Sequence, residues 1–396
     1  MFNENVLNVK PSATAELMTK MADYKRKGID VISLNVGEPD FDTPAHISQA
    51  GIEAIQNGST RYAPVAGIHE LRQAVCTKLK LENSIIYNPE NIIITVGAKQ
   101  AVFNTLLALC NPGDEVIILT PCWVSYIEMV TLTGATPVLV ETLEDKGFQL
   151  NLEQIRKAFN ARTKAIIFNT PNNPTGAVYT RDSLEELASL AVEHNTYVIA
   201  DEIYEKLIYE DAVHHSIASF NDAIKKLTIT INGFSKAYAM TGWRVGYVAA
   251  EMEIIKLLTK IQGHSTSSTS TISQEAAVAA LEGPQRPTEE MILAYDERRK
   301  YLHQRLSAMK NISCTKVTGA FYLVPNVSAY YGKTAGNSFI NDSVDLATYL
   351  LEEAKVAVVP GNAFEMPNNV RIAYSNSMPN LTEGMDRMEQ ALEKIK

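Results

Sequence analysis

From residue 91 onward, short runs of β-branched and aliphatic residues alternate with longer stretches whose apolar positions return every three or four residues. This alternation predicts an α/β fold: a mostly parallel sheet with helices on both faces. Seven runs read as strands, at 92–96, 115–119, 137–140, 164–168, 197–200, 227–231 and 244–249. Helix-length connections such as 99–109 and 181–194 join some of them, and Asn111-Pro112-Gly113 and Gly134-Ala135 mark tight turns. A large domain over 45–285 is expected from this pattern.

Nearer the N-terminus, Leu17, Met18, Met21 and Tyr24 share one helical stripe that Gly28 ends, so a docking helix is expected there. After Gly283-Pro284 come a long charged helix over 287–309 and apolar strands around 319–325, 356–359 and 370–374. Leu381, Met385, Met388, Leu392 and Ile395 then recur at helical spacing, with Asn380 as candidate cap and Glu383 three residues on. Residues 1–44 and 286–396 are expected to form a smaller α+β domain. The hydroxyl-rich stretch 265–273 reads, on composition, as a flexible surface loop.

With 396 residues, 46% of them hydrophobic, the chain can bury cores for two or three domains. Its 36 basic and 45 acidic residues leave a formal charge of −9, which argues against nucleic acid as a partner. No apolar run approaches the ~20 residues of a membrane span, and MFNENVLNVKPSA lacks the basic and apolar regions of a leader. A soluble, cytoplasmic protein is expected. The cysteines at 76, 110, 122 and 314 form no CxxC pair, and the seven histidines include no HExxH, so neither a disulfide framework nor a metal site is suggested. The dinucleotide fingerprint is absent, and Gly332-Lys333-Thr334 fails as a P-loop because Val327 holds the place of its first glycine.

Ligands of open α/β sheets bind beyond the carboxyl ends of the strands, which directs attention to the polar residues there. Asp201, followed by Tyr204, ends one apolar run: it either caps the next turn or meets a protonated ring nitrogen. Lys236 follows Gly233-Phe234-Ser235 after another run. It reads either as a solvated loop residue or as a desolvated amine with lowered pKa, a nucleophile toward a carbonyl, with Arg244 nearby as an anion fork. Gly97-Ala98-Lys99 opens a helix whose free amides suit a phosphate, and a cation in that first turn opposes the helix dipole unless an anion binds. Asn173 sits in the rigid loop Asn169-Thr-Pro-Asn-Asn-Pro-Thr-Gly176, as a plain turn residue or as a donor to a ligand. Arg371 lies inside an apolar run and requires an anion, from a structural or a ligand carboxylate.

Together these residues resemble the class I aminotransferase family, which uses pyridoxal 5′-phosphate on the fold-type-I scaffold. The resemblance rests on Asn173-Pro-Thr-Gly176, Asp201-Glu-Ile-Tyr204, Ser235-Lys236 with Arg244 eight residues later, and Arg371. Val36-Gly-Glu-Pro-Asp-Phe-Asp42, Arg61-Tyr-Ala-Pro-Val-Ala-Gly67, Gly97-Ala-Lys-Gln100 and Trp123-Val-Ser-Tyr126 are similar to the bacterial aspartate aminotransferase branch. The resemblance implies that Lys236 carries the cofactor and moves the proton between substrate Cα and cofactor C4′, while Asp201 keeps the pyridine nitrogen protonated. It further implies that Tyr204 and Asn173 contact the ring's phenolic oxygen, Trp123 stacks on the ring, and Arg244, Ser235 and the amides at Ala98 and Lys99 hold the phosphate. Tyr62 would reach the phosphate of a neighbouring subunit, and Gly37 and Arg371 would take the substrate α-carboxylate.

Two departures stand out. Gly233 occupies a position that is often serine in related enzymes, and 265–273 lacks the arginine that receives the distal carboxylate in the enteric and animal enzymes. The resemblance assigns that task to Lys99, helped by Ser12 and Thr14. Lys10 would lie near the substrate entrance, as in branch members that transaminate prephenate. The implied protein is a homodimeric aminotransferase moving an amino group from aspartate to 2-oxoglutarate; the alternatives are prephenate or aromatic substrates, another chemistry on the same cofactor, or a non-catalytic regulator.

Overall fold

The computed structural model describes residues 2–11, 13–336 and 338–396, without the side chains of residues 13–16, 18 and 25. A short strand β1 (Ile32–Ser33) precedes β2 (Ile92–Thr95), β3 (Glu115–Thr120), β4 (Thr136–Glu141), β5 (Thr163–Asn169), β6 (Tyr197–Asp201), β7 (Thr228–Gly233) and β8 (Gly246–Ala249). The last seven pair in the order β2-β8-β7-β6-β5-β3-β4. All pairs are parallel except those of β8, which runs antiparallel to both of its neighbours. The expected seven-stranded, mostly parallel sheet is therefore present.

Its inner strands are apolar on both faces because both faces are covered. Val116 and Ile118 pack with Ala101, Val102 and Leu106 of the helix Gly97–Leu109. Ile117 and Leu119 point the other way, toward Leu184 and Leu187 of the helix Arg181–Glu193. The edge strand β4 exposes Thr136 and Leu139, as its mixed sequence requires.

Beyond the sheet, β9 (Tyr322–Leu323), β10 (Lys333–Ala335), β11 (Ser338–Ile340), β12 (Val356–Ala357), β13 (Val359–Pro360) and β14 (Val370–Ala373) are short. β14 lies between β13 and β9, β10 pairs with β11, and β1 adds in parallel to β12. Around them the helices Arg286–Ala308 and Met378–Leu392 bury Tyr295, Leu302, Leu306, Leu381, Met385 and Met388 in one core. The N-terminal helix Ala13–Arg26 forms, Leu17 packs against an apolar core, and the chain leaves through Gly28 at φ +70°.

Three local expectations change. Arg244 is not in a strand: it takes φ +55° after the tight turn Thr241–Trp243, so β8 starts two residues later. The stretch 265–273 is a loop only over 266–270, which connects a helix that runs to Ser265 with one that begins at Thr271, capped by the Ser270 side chain. Asn380 is not the cap of the last helix; Ser377 is, accepting from the Asn380 amide at 3.4 Å. Pro379 lacks an N–H and suits the first turn, which places the cap ahead of it.

Register sets the carboxyl edge of the sheet. Asn169 pairs with Asp201, Asp201 with Ile231, Gly233 with Gly246, and Gly246 with Thr95. The reversed β8 thus starts where its neighbours end, and it brings Arg244 to the side that carries Asp201 and the residues after Gly233. A side chain at Gly246 would collide with the helix start, because a Cβ there lies 2.7 Å from the Ala98 nitrogen and 2.7 Å from the Gly97 carbonyl carbon. Gly246→Ala is accordingly expected to lower folding stability by about 1–3 kcal/mol, read as a lower urea midpoint at unchanged slope.

Candidate active site

A cavity of about 480 Å³ opens at this edge of the sheet, between the strand ends and the β9–β14 region. Lys236, Asp201, Tyr204, Asn173, Ala98, Lys99, Trp123, Ser235, Arg244, Gly37 and Arg371 line it together. Two anticipated residues do not. Tyr62 is 95% exposed, and Lys10 is exposed with its backbone amide donating to Glu128 Oε2 at 3.0 Å. Ser12 and the Thr14 side chain lie outside the described residues.

Asp201 is buried at the end of β6, where Tyr126 donates its hydroxyl to Oδ2 at 2.6 Å and the Ile203 amide donates to Oδ1 at 3.1 Å. It therefore both caps the turn and faces the cavity. Burial drives its pKa from the ordinary 3.8 up to about 6, against the opposing pull of these two donors. Its neighbour Asn169 donates to the Asp201 carbonyl at 2.8 Å and accepts from the Asn173 amide at 2.7 Å, so the rigid Asn-Pro loop is tied to the same strand end.

Lys236 follows β7, and its Nζ donates to the Gly37 carbonyl at 2.6 Å. Removal from water lowers its pKa from 10.5 to about 8; Arg371 and Arg244 add to the effect, and Glu38 and Asp201 oppose it. An amine so placed is unprotonated in a useful fraction near neutral pH, as a nucleophile toward a carbonyl requires. Lys236 is half-buried and bonded to the Gly37 carbonyl, unlike a freely solvated loop lysine.

Arg371 is 3% exposed. Nη1 donates to Asn173 Oδ1 at 3.0 Å, Nη2 donates to the Asn35 carbonyl at 2.7 Å, and Nε is buried with no partner. Its guanidinium lies 4.5 Å from the Tyr322 ring centroid and 4.8 Å from that of Phe364, and burial pushes its pKa down. No carboxylate among the described residues pairs with it. A buried cation held only by neutral groups keeps its charge available to an anion.

A second group of cations and free backbone amides lies at the start of the helix Gly97–Leu109. Gly97, at φ +76°, lets the Arg244 guanidinium come close; a Cβ there would lie 2.5 Å from Arg244 Nη2. Arg244 is held by the Thr241 carbonyl at 2.9 Å. Lys99 stands over the Trp123 ring at 4.8 Å, with its pKa lowered by burial and by Arg244. The Ala98 and Lys99 amides, the Ser235 hydroxyl and the Arg244 fork together suit a phosphate.

Sequence reasoning gave no role to Tyr126, Asn169 or Tyr322. Tyr126 lies one helical turn after Trp123 and could have been found by that spacing; Tyr322 is hidden in an apolar run. On the far side of the β6 terminus, Glu202, Glu205 and His214 hold ligand-type atoms within 4.8 Å of one another. The Lys78 ammonium already pairs with Glu205, and Asn83 and Asn232 each donate to that carboxylate at 2.7 Å, so Glu205 already has a cation and two amide donors.

Because the Asp201 pKa is raised from 3.8 to about 6, the folded cofactor-free chain binds more protons than the unfolded chain between those values. Its contribution to stability is full below the unfolded pKa and is lost as the pH rises through 6. The neutral isostere Asp201→Asn should gain roughly 3 kcal/mol relative to the wild type between about pH 4 and pH 7. Urea denaturation at both pH values measures the difference, and a pH-independent offset would contradict the raised pKa.

The family model "Aminotransferase class I and II" matches residues 29–388. An aspartate aminotransferase of Bacillus sp. (strain YM-2) is 43% identical over 385 residues, covering 97% of each chain. A probable aspartate/prephenate aminotransferase of Aquifex aeolicus is 44% identical over 392 residues, covering 98% of each. Among solved structures, the aspartate aminotransferase of Thermus thermophilus with maleate superposes with a TM-score of 0.93 at 43% identity, covering 99% of each chain. With a lowered-pKa lysine, a buried carboxylate and an unpaired arginine in one cavity, and similarity along nearly its whole length, this chain belongs to the class I and II aminotransferases.

Proposed function

We propose that the protein is an aspartate aminotransferase that binds pyridoxal 5′-phosphate at Lys236 and moves the amino group of L-aspartate to 2-oxoglutarate. The observation that carries this reading is Arg371, a buried guanidinium whose Nε has no partner, in the same cavity as the depressed amine of Lys236. The cavity fits the cofactor: Arg244, Ser235 and the amides at Ala98 and Lys99 would hold the phosphate, and Asp201 would receive the pyridine N–H. Trp123 would cover one face of the ring, and Tyr204 and Asn173 would meet its phenolic oxygen. When bound, this cofactor supplies an electron sink for charge developing on the substrate carbon.

The chain's own groups do the remaining work. Arg371 orients the substrate through its α-carboxylate, with the Gly37 backbone beside it. Lys236 Nζ holds and moves a proton next to the reacting carbon, a task suited to a pKa of about 8. Lys99 offers a second positive charge for a distal carboxylate. The maleate of the Thermus thermophilus structure, a dicarboxylate, agrees with a site of two cations.

Prephenate is the second reading, favoured by the Aquifex aeolicus relative named for both substrates. A homodimer belongs to the same proposal: Tyr62, 95% exposed and outside its own cavity, is free to reach a partner's. So do a cytoplasmic location and the division into a 45–285 domain and a smaller one built from 1–44 and 286–396.

Lys236→Ala should abolish the cofactor's absorbance band and reduce turnover at least about 10²–10⁴-fold; an active variant would refute the assignment. Lys99→Ala should lower kcat/KM for aspartate and 2-oxoglutarate roughly 10–100-fold while changing aromatic substrates little, as loss of one charge-assisted bond implies. A panel of aspartate, glutamate, phenylalanine and prephenate reads both effects, and equal losses would remove Lys99 from its role.

A further inference from the structure

Tyr322, at the start of β9, is completely buried and carries no assigned task. Its hydroxyl lies 2.8 Å from the Tyr204 hydroxyl. The same oxygen rests against Gly37, where any Cβ would strike it, and the Gly37 carbonyl is the acceptor for Lys236. Across the Tyr322 ring stands the Arg371 guanidinium, 4.5 Å from its centroid. One phenol thus touches the tyrosine facing the cofactor site, the backbone that holds the lysine, and the arginine that receives substrate.

Two hydroxyls in contact share one proton between their oxygens, and the other proton must point elsewhere. If Tyr204 donates to Tyr322, a ligand oxygen in the cavity meets only lone pairs. If Tyr322 donates, the Tyr204 proton is free to face that oxygen. The cation over the Tyr322 ring draws density from its phenol and makes it the better donor. The other charged groups around the Tyr204 ring, Asp201 and Lys236, form no hydrogen bond with either hydroxyl among the described residues.

We infer that Tyr322 is a positioning residue that donates its hydroxyl proton to Tyr204 and so turns the Tyr204 proton toward the phenolic oxygen of the cofactor. This rests on the cofactor reading above. Its consequence is that Tyr322 sets the proton affinity of the lysine–cofactor linkage without touching it.

The test is a pH titration of the cofactor absorbance band in the pyridoxal-phosphate-loaded protein. Tyr322→Phe keeps the ring and removes the donor; its midpoint should rise by about one pH unit, a tenfold change in proton affinity. Tyr204→Phe should move the midpoint at least as far, and the double variant no further than Tyr204→Phe alone. Should Tyr322→Phe fold poorly, 3,5-difluorotyrosine incorporated at position 322, a stronger donor of the same shape, should lower the midpoint instead. An unmoved midpoint, or additive shifts in the double variant, would overturn the assignment. A wild-type protein with no titrating band would overturn the cofactor reading itself, and this inference with it.

Discussion

Charge held without a counter-charge is the condition on which the site depends. Asp201, Lys236 and Arg371 are withdrawn from water in one cavity, yet no two of them form an ion pair among the described residues. Each is held by neutral dipoles alone: a phenol and an amide for Asp201, a carbonyl for Lys236, an amide oxygen and a carbonyl for Arg371, whose Nε keeps no partner. Neutral partners offset part of the desolvation cost and leave the net charge available to a ligand. Direct pairing of Lys236 with Asp201 would have stabilised the empty chain and removed the pKa shifts that make both groups useful.

The sheet makes this possible because its parallel strands end together. Their apolar interiors fix the register, and the register delivers Asn169, Asp201 and the residues after Gly233 to one edge. The β9–β14 region closes over that edge with Arg371 and Tyr322. Just after β6, outside the cavity lining, the Glu205 carboxylate is held by Lys78, Asn83 and Asn232.

Much of this was legible in the sequence, for a physical reason. Strands covered on both faces are continuous aliphatic runs and can be read as such, and a charged residue that ends, follows or interrupts such a run is conspicuous, as Asp201, Lys236 and Arg371 respectively do. What escaped was decided by contacts between distant segments. Tyr322 looks like any apolar-strand aromatic until Tyr204, 118 residues away, meets its hydroxyl. Arg244 was read into a strand because its apolar followers resemble one, whereas its left-handed backbone is visible only in space. The 265–273 stretch holds both a loop, 266–270, and the helix ends that flank it, because serine and threonine suit helix caps as well as loops.

The reversal of β8 has a further bearing on how the fold can vary. Since β7 and β8 are antiparallel neighbours, the chain returns directly from one to the other, and Lys236 and Arg244 ride on that single return. Their separation along the chain is thus a ruler that sets the distance between the Lys236 amine and the Arg244 guanidinium. Lengthening this return by even one residue would detune both ends together, whereas insertions between the parallel strands, on the helices' far ends, leave the ruler intact.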